Sequence, residues 1–512
     1  MQFMPCSHEV VMLANTPQEE PTSQPDVFNS KWMKFAFAFL AIAGGAGVAA
    51  ALAFFDNPLK LVLLFGGAGA AMVTMRNSEW GLLALVFMSY TRFSDVMVRN
   101  GAPSTAQPFL ALLFLIIFLR WALYNQKPEP WLKPAAWIFV YGMVGVATFL
   151  YADDVMRVKN GVITYFKDAI IVIVVVMMMR SPKMLHRSMW ALLFAGIFMA
   201  SITTWQQLTG TFENDYLGFA KAGKMQIVSG VEDDYRIAGP IGDPNFYSQV
   251  LLTLIPLGMD RMWNEKNKKL RWFAIWQLSV CMASIFFSFS RGAFLSLSIA
   301  SLIMFVRRPP KPLSVIIIIA LGFVIIPTLP ASYIARLETI PEAIPGLAQE
   351  DVRNEASFRG RSSAQQAGLR MFWANPVFGL GVGNFGNHYQ EYARDLGLDN
   401  SRWDQAPHNM YLEILTEKGL FGLSVFSAMM WVLFRDMNRA RKKFREINMG
   451  DFDGLIFGFQ AGLVGYMFAG IFLQLSYPRF FWILIAIAYA IPNVANKAYE
   501  EYREALPNGE TA

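Results

Sequence analysis

The sequence predicts an all-α polytopic membrane protein of about 12–14 transmembrane helices with one large extracytoplasmic loop domain. Three observations predict it. The 512 residues are 54% hydrophobic and only 16% charged, against about a quarter charged in soluble domains. Stretches such as "AFAFLAIAGGAGVAAALAFF", "AIIVIVVVMMM" and "SVIIIIALGFVIIPTL" are apolar on every side and too numerous for one soluble core; a bilayer asks for about 20 such residues per span. The loops between them alternate in charge.

Taken in order, the spans fall near 33–55, 58–76, 79–97, 107–124, 131–151, 161–179, 188–208, 244–263, 272–289, 291–306, 314–332, 410–434, 455–477 and 479–496. The loops "RWALYNQKPEPWLK", "RSPKMLHR", "RMWNEKNKKLRW", "RRPPK" and "RDMNRARKKFRE" are basic and are expected on the cytoplasmic side. The even count places both termini there. Residues 1–31 hold Pro5, Pro17, Pro21 and Pro25 and no basic-then-apolar pattern, so they read as a disordered cytoplasmic tail without a cleavable signal. The organisation is that tail, N-terminal helices over 32–208, a central region over 209–435 with outer loops 209–243 and 333–409, C-terminal helices over 436–496, and a cytoplasmic tail over 497–512.

Composition also excludes. Cys6 and Cys281 fall in the tail and in a span, so neither a disulfide nor a cysteine metal site is expected. The formal charge of +6 is spread over many short loops, which gives no nucleic-acid surface. No internal repeat is visible, which counts against an inverted-repeat transporter. Loops as long as 209–243 and 333–409 are functional or disordered. The second contains Phe372, Trp373, Phe378 and Phe385, and aromatic content favours order.

Few polar groups at the outer face carry chemistry. Arg291, in "FFSFSRGAFLSLS", lies between two apolar stretches, where a charge is expensive and marks a functional site or snorkels to the interface. Arg236, in "DDYRIAG", either pairs with Glu232, Asp233 or Asp234 or faces a ligand. Of four histidines, His8 lies in the tail and His186 inside; His388 and His408 are outside. His408 opens "HNMYLEILTEKGLFG", where it either packs at a helix start or accepts a proton from a hydroxyl nucleophile. Asn409 beside it is placed to orient a ring or a substrate. Gly419 and Gly422 share a helical face and suit close helix packing. The run "GLGVGNFG" has no βαβ unit around it; it is a compact turn for close backbone approach rather than a dinucleotide loop. The acidic 232–234 run lacks a second ligand cluster, so no metal is expected. Two arginines and a histidine at the membrane boundary suit a lipid-linked phosphate or diphosphate.

The H-N, nine residues, G-x-x-G pattern of "HNMYLEILTEKGLFG" resembles the O-antigen ligase and polymerase superfamily. "RIAGPIGDPNFYSQVLLTLIPL", "SFSRGAFLSLSIA" and "AGLRMFWANPVFGLGVGNF" are similar to it as well, over roughly residues 200–435. The resemblance implies a GT-C-like, metal- and cofactor-independent glycosyltransferase of the bacterial inner membrane, with its active site on the periplasmic side and about twelve spans rather than fourteen. It implies partners: an undecaprenyl diphosphate-linked glycan, an acceptor that is a glycolipid such as lipid A-core, a glycan or a protein, and the bilayer. It further implies that Arg236 and Arg291 hold the diphosphate and that His408 activates the acceptor hydroxyl. Arg359, Arg361 and Arg370 are nearby alternatives to Arg236, and Arg361, Arg370, Asn245 and Asn409 are candidate substrate contacts. Ligase is favoured over polymerase and over protein O-oligosaccharyltransferase. From a different class, a bicarbonate-type transporter would need ionisable groups at mid-membrane, for which Lys167 and Asp168 are the candidates. A structural scaffold for envelope assembly would leave the outer arginines and His408 dispensable.

Overall fold

The computed structural model describes residues 66, 69, 72–224, 235–310, 356–399, 405–475 and 478–505. The expected tail at 1–31, the spans near 33–55 and 314–332, most of the span near 58–76, the acidic run 232–234 and the first part of the large loop lie outside the described residues.

Helices dominate because long apolar runs are punctuated by capping residues. α1 (Ser78–Tyr90) and α2 (Phe93–Arg99) meet at a bend of 60°. α3 (Ala106–Tyr124) and α4 (Leu132–Ala147) follow. α5 (Val155–Met178) starts at Asp154, whose carboxylate accepts the N–H groups of Met156 and Arg157 at 3.0 Å. α6 (Pro182–Thr209) starts at Ser181, with proline in the first turn, where a missing N–H costs nothing. Two short antiparallel strands, β1 (Lys221–Lys224) and β2 (Tyr235–Gly239), lie between α6 and the next helix. α7 (Pro244–Leu252), α8 (Ile255–Asn264), α9 (Lys268–Phe287) and α10 (Arg291–Arg307) complete the central group. α11 (Ala356–Ala374) and α12 (Phe385–Asp395) follow and share a small apolar cluster of Ala364, Ala367, Met371, Phe385, Tyr389 and Ala393. α13 (Met410–Glu446), α14 (Gly450–Ala469) and α15 (Pro478–Glu504) finish the chain. Among the described residues eight helices are long and apolar enough to cross a membrane, or nine with the bent pair. The protein is an all-α polytopic membrane protein.

α15 is the central post. From Phe480 to Ile491 its side chains are at most 5% exposed, and it packs on α5, α13, α1 and α6. α3, apolar all round but only 17% buried within the protein, is left to face lipid.

Three elements depart from the expected pattern. The span near 244–263 is broken into α7 and α8 at Thr253–Leu254, where Pro256 in the first turn of α8 removes a backbone donor. α14 repairs the fit with glycines: a Cβ on Gly462 would lie 2.1 Å from the Thr253 carbonyl oxygen, and one on Gly458 2.9 Å from that of Pro256. The basic segment "RDMNRARKKFRE", read as a loop after 434, continues α13 to Glu446; lysine and arginine are strong helix formers. α15 likewise runs past 496 to Glu504, so the start of the expected C-terminal tail is helical.

Candidate active site

Arg236 sits on β2, with Gly223 opposite it in the ladder. The strand is fixed from below by Ile237 and Ala238, both buried, and from outside by stacking of Tyr235 on Phe212 at 4.3 Å. It ends in a turn that only glycine permits: Gly239 has φ +53°, and a Cβ there would lie 2.4 Å from the Tyr247 ring. Asp243 then caps α7, accepting the Asn245 and Phe246 N–H groups at 2.8 and 3.1 Å. This geometry aims the Arg236 guanidinium at the α9–α10 turn. Its Nε donates to the Ser288 carbonyl at 2.8 Å and its Nη2 to Asn245 Oδ1 at 3.1 Å.

The α9–α10 turn carries the second arginine. Ser288 caps α9, Phe289 takes φ +53°, and Ser290 caps α10, whose first residue is Arg291. The Ser288 hydroxyl accepts from Ser248 at 2.5 Å, so α7 braces the same turn. Arg236 thus bonds to a carbonyl three residues ahead of Arg291.

His408 arrives from the other side. It is half-buried with φ +49°, a left-handed conformation uncommon outside glycine. Asn409 caps α13, its Oδ1 accepting the Tyr411 and Leu412 N–H groups at 2.9 and 3.0 Å. The start of α13 is docked on the turn that follows α14. Met410 N–H donates to Gly470 O at 2.7 Å, and the Glu413 carboxylate accepts the Leu475 N–H at 2.9 Å. Phe472 of that turn lies 3.0 Å from where a Cβ on Gly292 would be. The 470–475 turn therefore touches the residue after Arg291 and the second residue after His408. It draws the two segments together, and nothing in its own composition announced that role.

The remaining candidates separate. Arg361, half-buried on α11, follows Gly360, whose carbonyl accepts from Gln405 at 3.3 Å; it borders the segment leading to His408. Arg370 is exposed and nine residues further along the helix, roughly 13 Å away by helical rise, beside Tyr392 of α12. Arg359 forms an exposed ion pair with Asp399 at 3.7 Å. Asn245 and Asn409, expected as substrate contacts, use their carbonyl oxygens on Arg236 and on the α13 N-terminus. His388 lies 3.1 Å from Asp153.

Two cations near Arg236 were missed. Arg99 donates to the Pro240 carbonyl at 3.3 Å, and the Lys221 stem lies 3.4 Å from where a Cβ on Gly242 would be. Burial, with Arg99 and Arg92 nearby, holds the Lys221 ammonium below the ordinary lysine range. Both converge on the turn that follows β2, a link across 141 residues between Arg99 and Pro240 that no local pattern reports.

The glycines of both motifs meet at one place. Gly419 has φ +64° and ψ −168° and breaks α13. The loop 376–381 fills the gap. Leu380 and Gly381 N–H groups donate to Thr416 O and Glu417 O at 2.8 and 2.9 Å, while Leu420 and Phe421 N–H groups donate to Pro376 O and Val377 O at 2.8 and 3.1 Å. Gly379 (φ +74°) and Gly419 carry no side chain because either Cβ would fall within 2.6 Å of the other segment's backbone. The expected helix-packing role of Gly419 is thus corrected to a chain break; a Cβ on Gly422 would meet Lys418 of α13 itself at 2.3 Å. The close backbone approach expected of "GLGVGNFG" is made to the chain's own broken helix.

Residues 276–427 match a family model described as O-antigen ligase. The match spans Arg291, Arg361, Arg370, His408, Asn409, Gly419 and Gly422, and begins after Arg236 and Asn245. No curated protein matches the chain.

Proposed function

We propose, from the match of residues 276–427 to the O-antigen ligase family model, that this chain is a glycan-transferring membrane enzyme of polysaccharide assembly that moves a glycan from undecaprenyl diphosphate to an acceptor hydroxyl. The acceptor end is of the ligase type, such as a lipid A-core sugar, and the site faces the periplasmic side of the bacterial inner membrane. What supports this reading is the 470–475 turn, which touches the segments of both Arg291 and His408 while Arg236 is bonded to the turn ahead of Arg291.

In this mechanism the donor diphosphate lies between the Arg236 and Arg291 guanidinium groups, whose planar donors suit phosphate oxygens. His408 takes the proton from the acceptor hydroxyl as its oxygen bonds to the anomeric carbon. The bond from that carbon to the phosphate oxygen breaks, and the diphosphate leaves with an additional negative charge. The arginines stabilise that charge where it develops, which lets the reaction run without a metal ion. Arg361 borders the approach to His408 and is the better placed of the two α11 arginines to touch the acceptor.

The test is a deletion strain complemented with the wild-type chain, His408→Ala or Arg291→Ala, read on surface-polysaccharide gels. Lipid-linked long chains should accumulate without the protein and remain with either variant; loss of a general base costs about 10²–10⁴-fold. Single repeat units capping the core would instead indicate a polymerase. An unaltered gel pattern in the deletion strain would exclude both.

A further inference from the structure

Residues 333–409 read in the sequence as one segment outside the membrane, yet part of it is seated beside the spans. Two helices measure how far in. The inner ends of α4 and α13 are joined by the Lys133–Asp436 ion pair, and Arg435, Arg439, Lys442 and Lys443 crowd the same stretch of α13, so this level lies at or beyond the headgroups. Sixteen residues separate Asp436 from Leu420, a rise of about 24 Å, and twelve separate Lys133 from Gly145, about 18 Å. A hydrocarbon core is about 30 Å thick, so Leu420 and Gly145 both lie within it, and helix tilt only brings them further from its outer edge. The loop 376–382 is attached at these levels. Leu420 and Phe421 N–H groups donate to the Pro376 and Val377 carbonyls, and the Val382 side chain fills the room left by Gly145 and Gly161, where a Cβ would lie 3.6 and 2.6 Å from it. The helices in turn meet the polar groups of the loop. The Tyr151 hydroxyl donates to Phe378 O at 2.7 Å, Leu380 and Gly381 N–H groups donate to the Thr416 and Glu417 carbonyls, and Val382 N–H donates to Thr148 Oγ1 at 3.4 Å. That is the condition for irregular backbone at membrane depth.

One side of this element is bare. Leu369, Trp373, Val377 and Phe378 are 49, 70, 52 and 59% exposed. They are not the side that docks: Gly368 is turned to α13, where a Cβ would lie 2.9 Å from the Leu412 side chain. The bare strip runs on into α13. The Phe378 ring is 6.2 Å from that of Phe421, and beyond Leu420 and Phe421 the exposed positions of α13 recur at Ser424, Ser427 and Trp431, about one helical turn apart. An exposed stripe of that period along a span faces lipid. At its other end Arg370 adjoins Leu369, where a long cation reaches the headgroups, and Trp373 is the residue type of the interfacial belt. We propose that residues 373–382 are a re-entrant element, and that the strip of Trp373, Val377 and Phe378 is covered by acyl chains of the outer leaflet, opposite the basic end of α13. The anchor seats the segment that leads to His408 in the bilayer itself. It concerns where the chain lies and not what it catalyses, so it fails or holds independently of His408.

Spin labels on the full chain, in phosphatidylcholine nanodiscs holding one copy each, provide the test. A Cys6→Ser background leaves the buried Cys281 as the remaining thiol, and the background protein itself checks that Cys281 takes no label. Labels are placed through Trp373→Cys and Phe378→Cys. Trp431→Cys is the lipid-facing reference, and Glu391→Cys on α12, with its side chain 70% exposed, is the aqueous one. Power saturation with oxygen, which concentrates in hydrocarbon, and with a nickel chelate, which stays in water, gives an accessibility ratio at each site. The ratio at Phe378→Cys should shift to that of Trp431→Cys, and the ratio at Trp373→Cys should fall between the two references. Ratios at both sites equal to that of Glu391→Cys overturn the proposal. Nickel access in single-copy discs that is lost, with dipolar broadening, when two copies share a disc would assign the strip to a second copy and overturns it too. Each labelled protein should keep the thermal midpoint of the background, because exposed side chains carry little of the fold. Val377→Cys, on the same strip, replaces either site that fails this check.

Discussion

Asn245 shows how a residue can matter to a site without touching substrate. Its Oδ1 accepts from Arg236 Nη2 at 3.1 Å while the Ser288 carbonyl holds Nε at 2.8 Å, so the guanidinium is fixed at two edges. Asn245→Ala should leave Arg236 charged but less firmly held. We expect the donor KM to rise about tenfold, one charge-assisted hydrogen bond's worth, with kcat changed less. Asn245→Asp should be worse, because a carboxylate there competes with the diphosphate for the same guanidinium. An Asn245→Ala enzyme with unaltered KM and lowered kcat would contradict the positioning role. Asp154 is a second such residue. Its carboxylate is held below the usual range chiefly by the Arg157 backbone N–H, aided by Asn387, and its backbone pairs with the buried Asn384 at the end of the glycine loop. A carboxylate with a depressed folded pKa stabilises above its unfolded pKa, near about 4, and that contribution is lost as pH falls through the folded value. Thermal midpoints should therefore drop in that acid window, and Asp154→Asn should flatten the drop; parallel wild-type and variant curves would refute it. The candidate residues stood out in the sequence because a charge or histidine beside an apolar run is conspicuous. Their partners were not: Ser288 and the 470–475 turn are ordinary polar or apolar residues whose role arises from contacts across tens of positions or more, and Asn245, expected as a substrate contact, is bonded to Arg236.

At the scale of the element, the decisive feature is the break in α13. A helix-period reading of "HNMYLEILTEKGLFG" places Gly419 and Gly422 on one face and infers close packing. Periodicity carries no information about the sign of φ, and glycine is equally at home in both situations. The structure uses Gly419 for a backbone conformation that is essentially restricted to glycine, then satisfies the freed groups with the 376–381 loop, as a break within a membrane requires. This joins the large outer loop to the helix that presents His408. Gly419→Ala should be severe, since its Cβ would fall 2.1 Å from the Val377 oxygen. A loss of roughly 3 kcal/mol or more is expected from the conformation and the clash together. It would be read as a lowered thermal midpoint in detergent and as faster proteolysis of the 376–381 loop. Gly450→Ala, with open space around its Cβ position, is the matched control and should be nearly neutral. A Gly419→Ala protein as stable as the control would show that the break is dispensable.

At the scale of the whole molecule, the spans were legible because a bilayer imposes length and apolarity on each one, and the alternation of basic loops orients them. The distribution of buried charge was harder to read. Lys167 and Asp168 stand next to each other in sequence and are the candidates for the mid-membrane ionisable groups of a transporter. The structure instead pairs Asp168 with Arg479 at 3.3 Å, and Arg479 with Asp95 at 3.3 Å, while Arg92 holds Asp95 at 2.8 Å. Adjacent helical residues point about 100° apart, so neighbours in sequence rarely face each other, whereas α15 and α5 pack side by side. The chain of charges ties α1–α2, α5 and α15 together around the central post, which makes it a brace for the bundle. Arg479→Gln alone should strand the Asp168 carboxylate, while Asp95 keeps Arg92, and lower stability by roughly 2 kcal/mol or more. Asp168→Asn combined with it should recover part of that loss, because the stranded charge has then been removed. Thermal midpoints of the two single variants and the double variant in one detergent give the coupling directly. Transfer activity should track the folded fraction in all three. A variant that folds at the wild-type midpoint yet has lost activity would return Asp168 to a functional role and reopen the transporter reading.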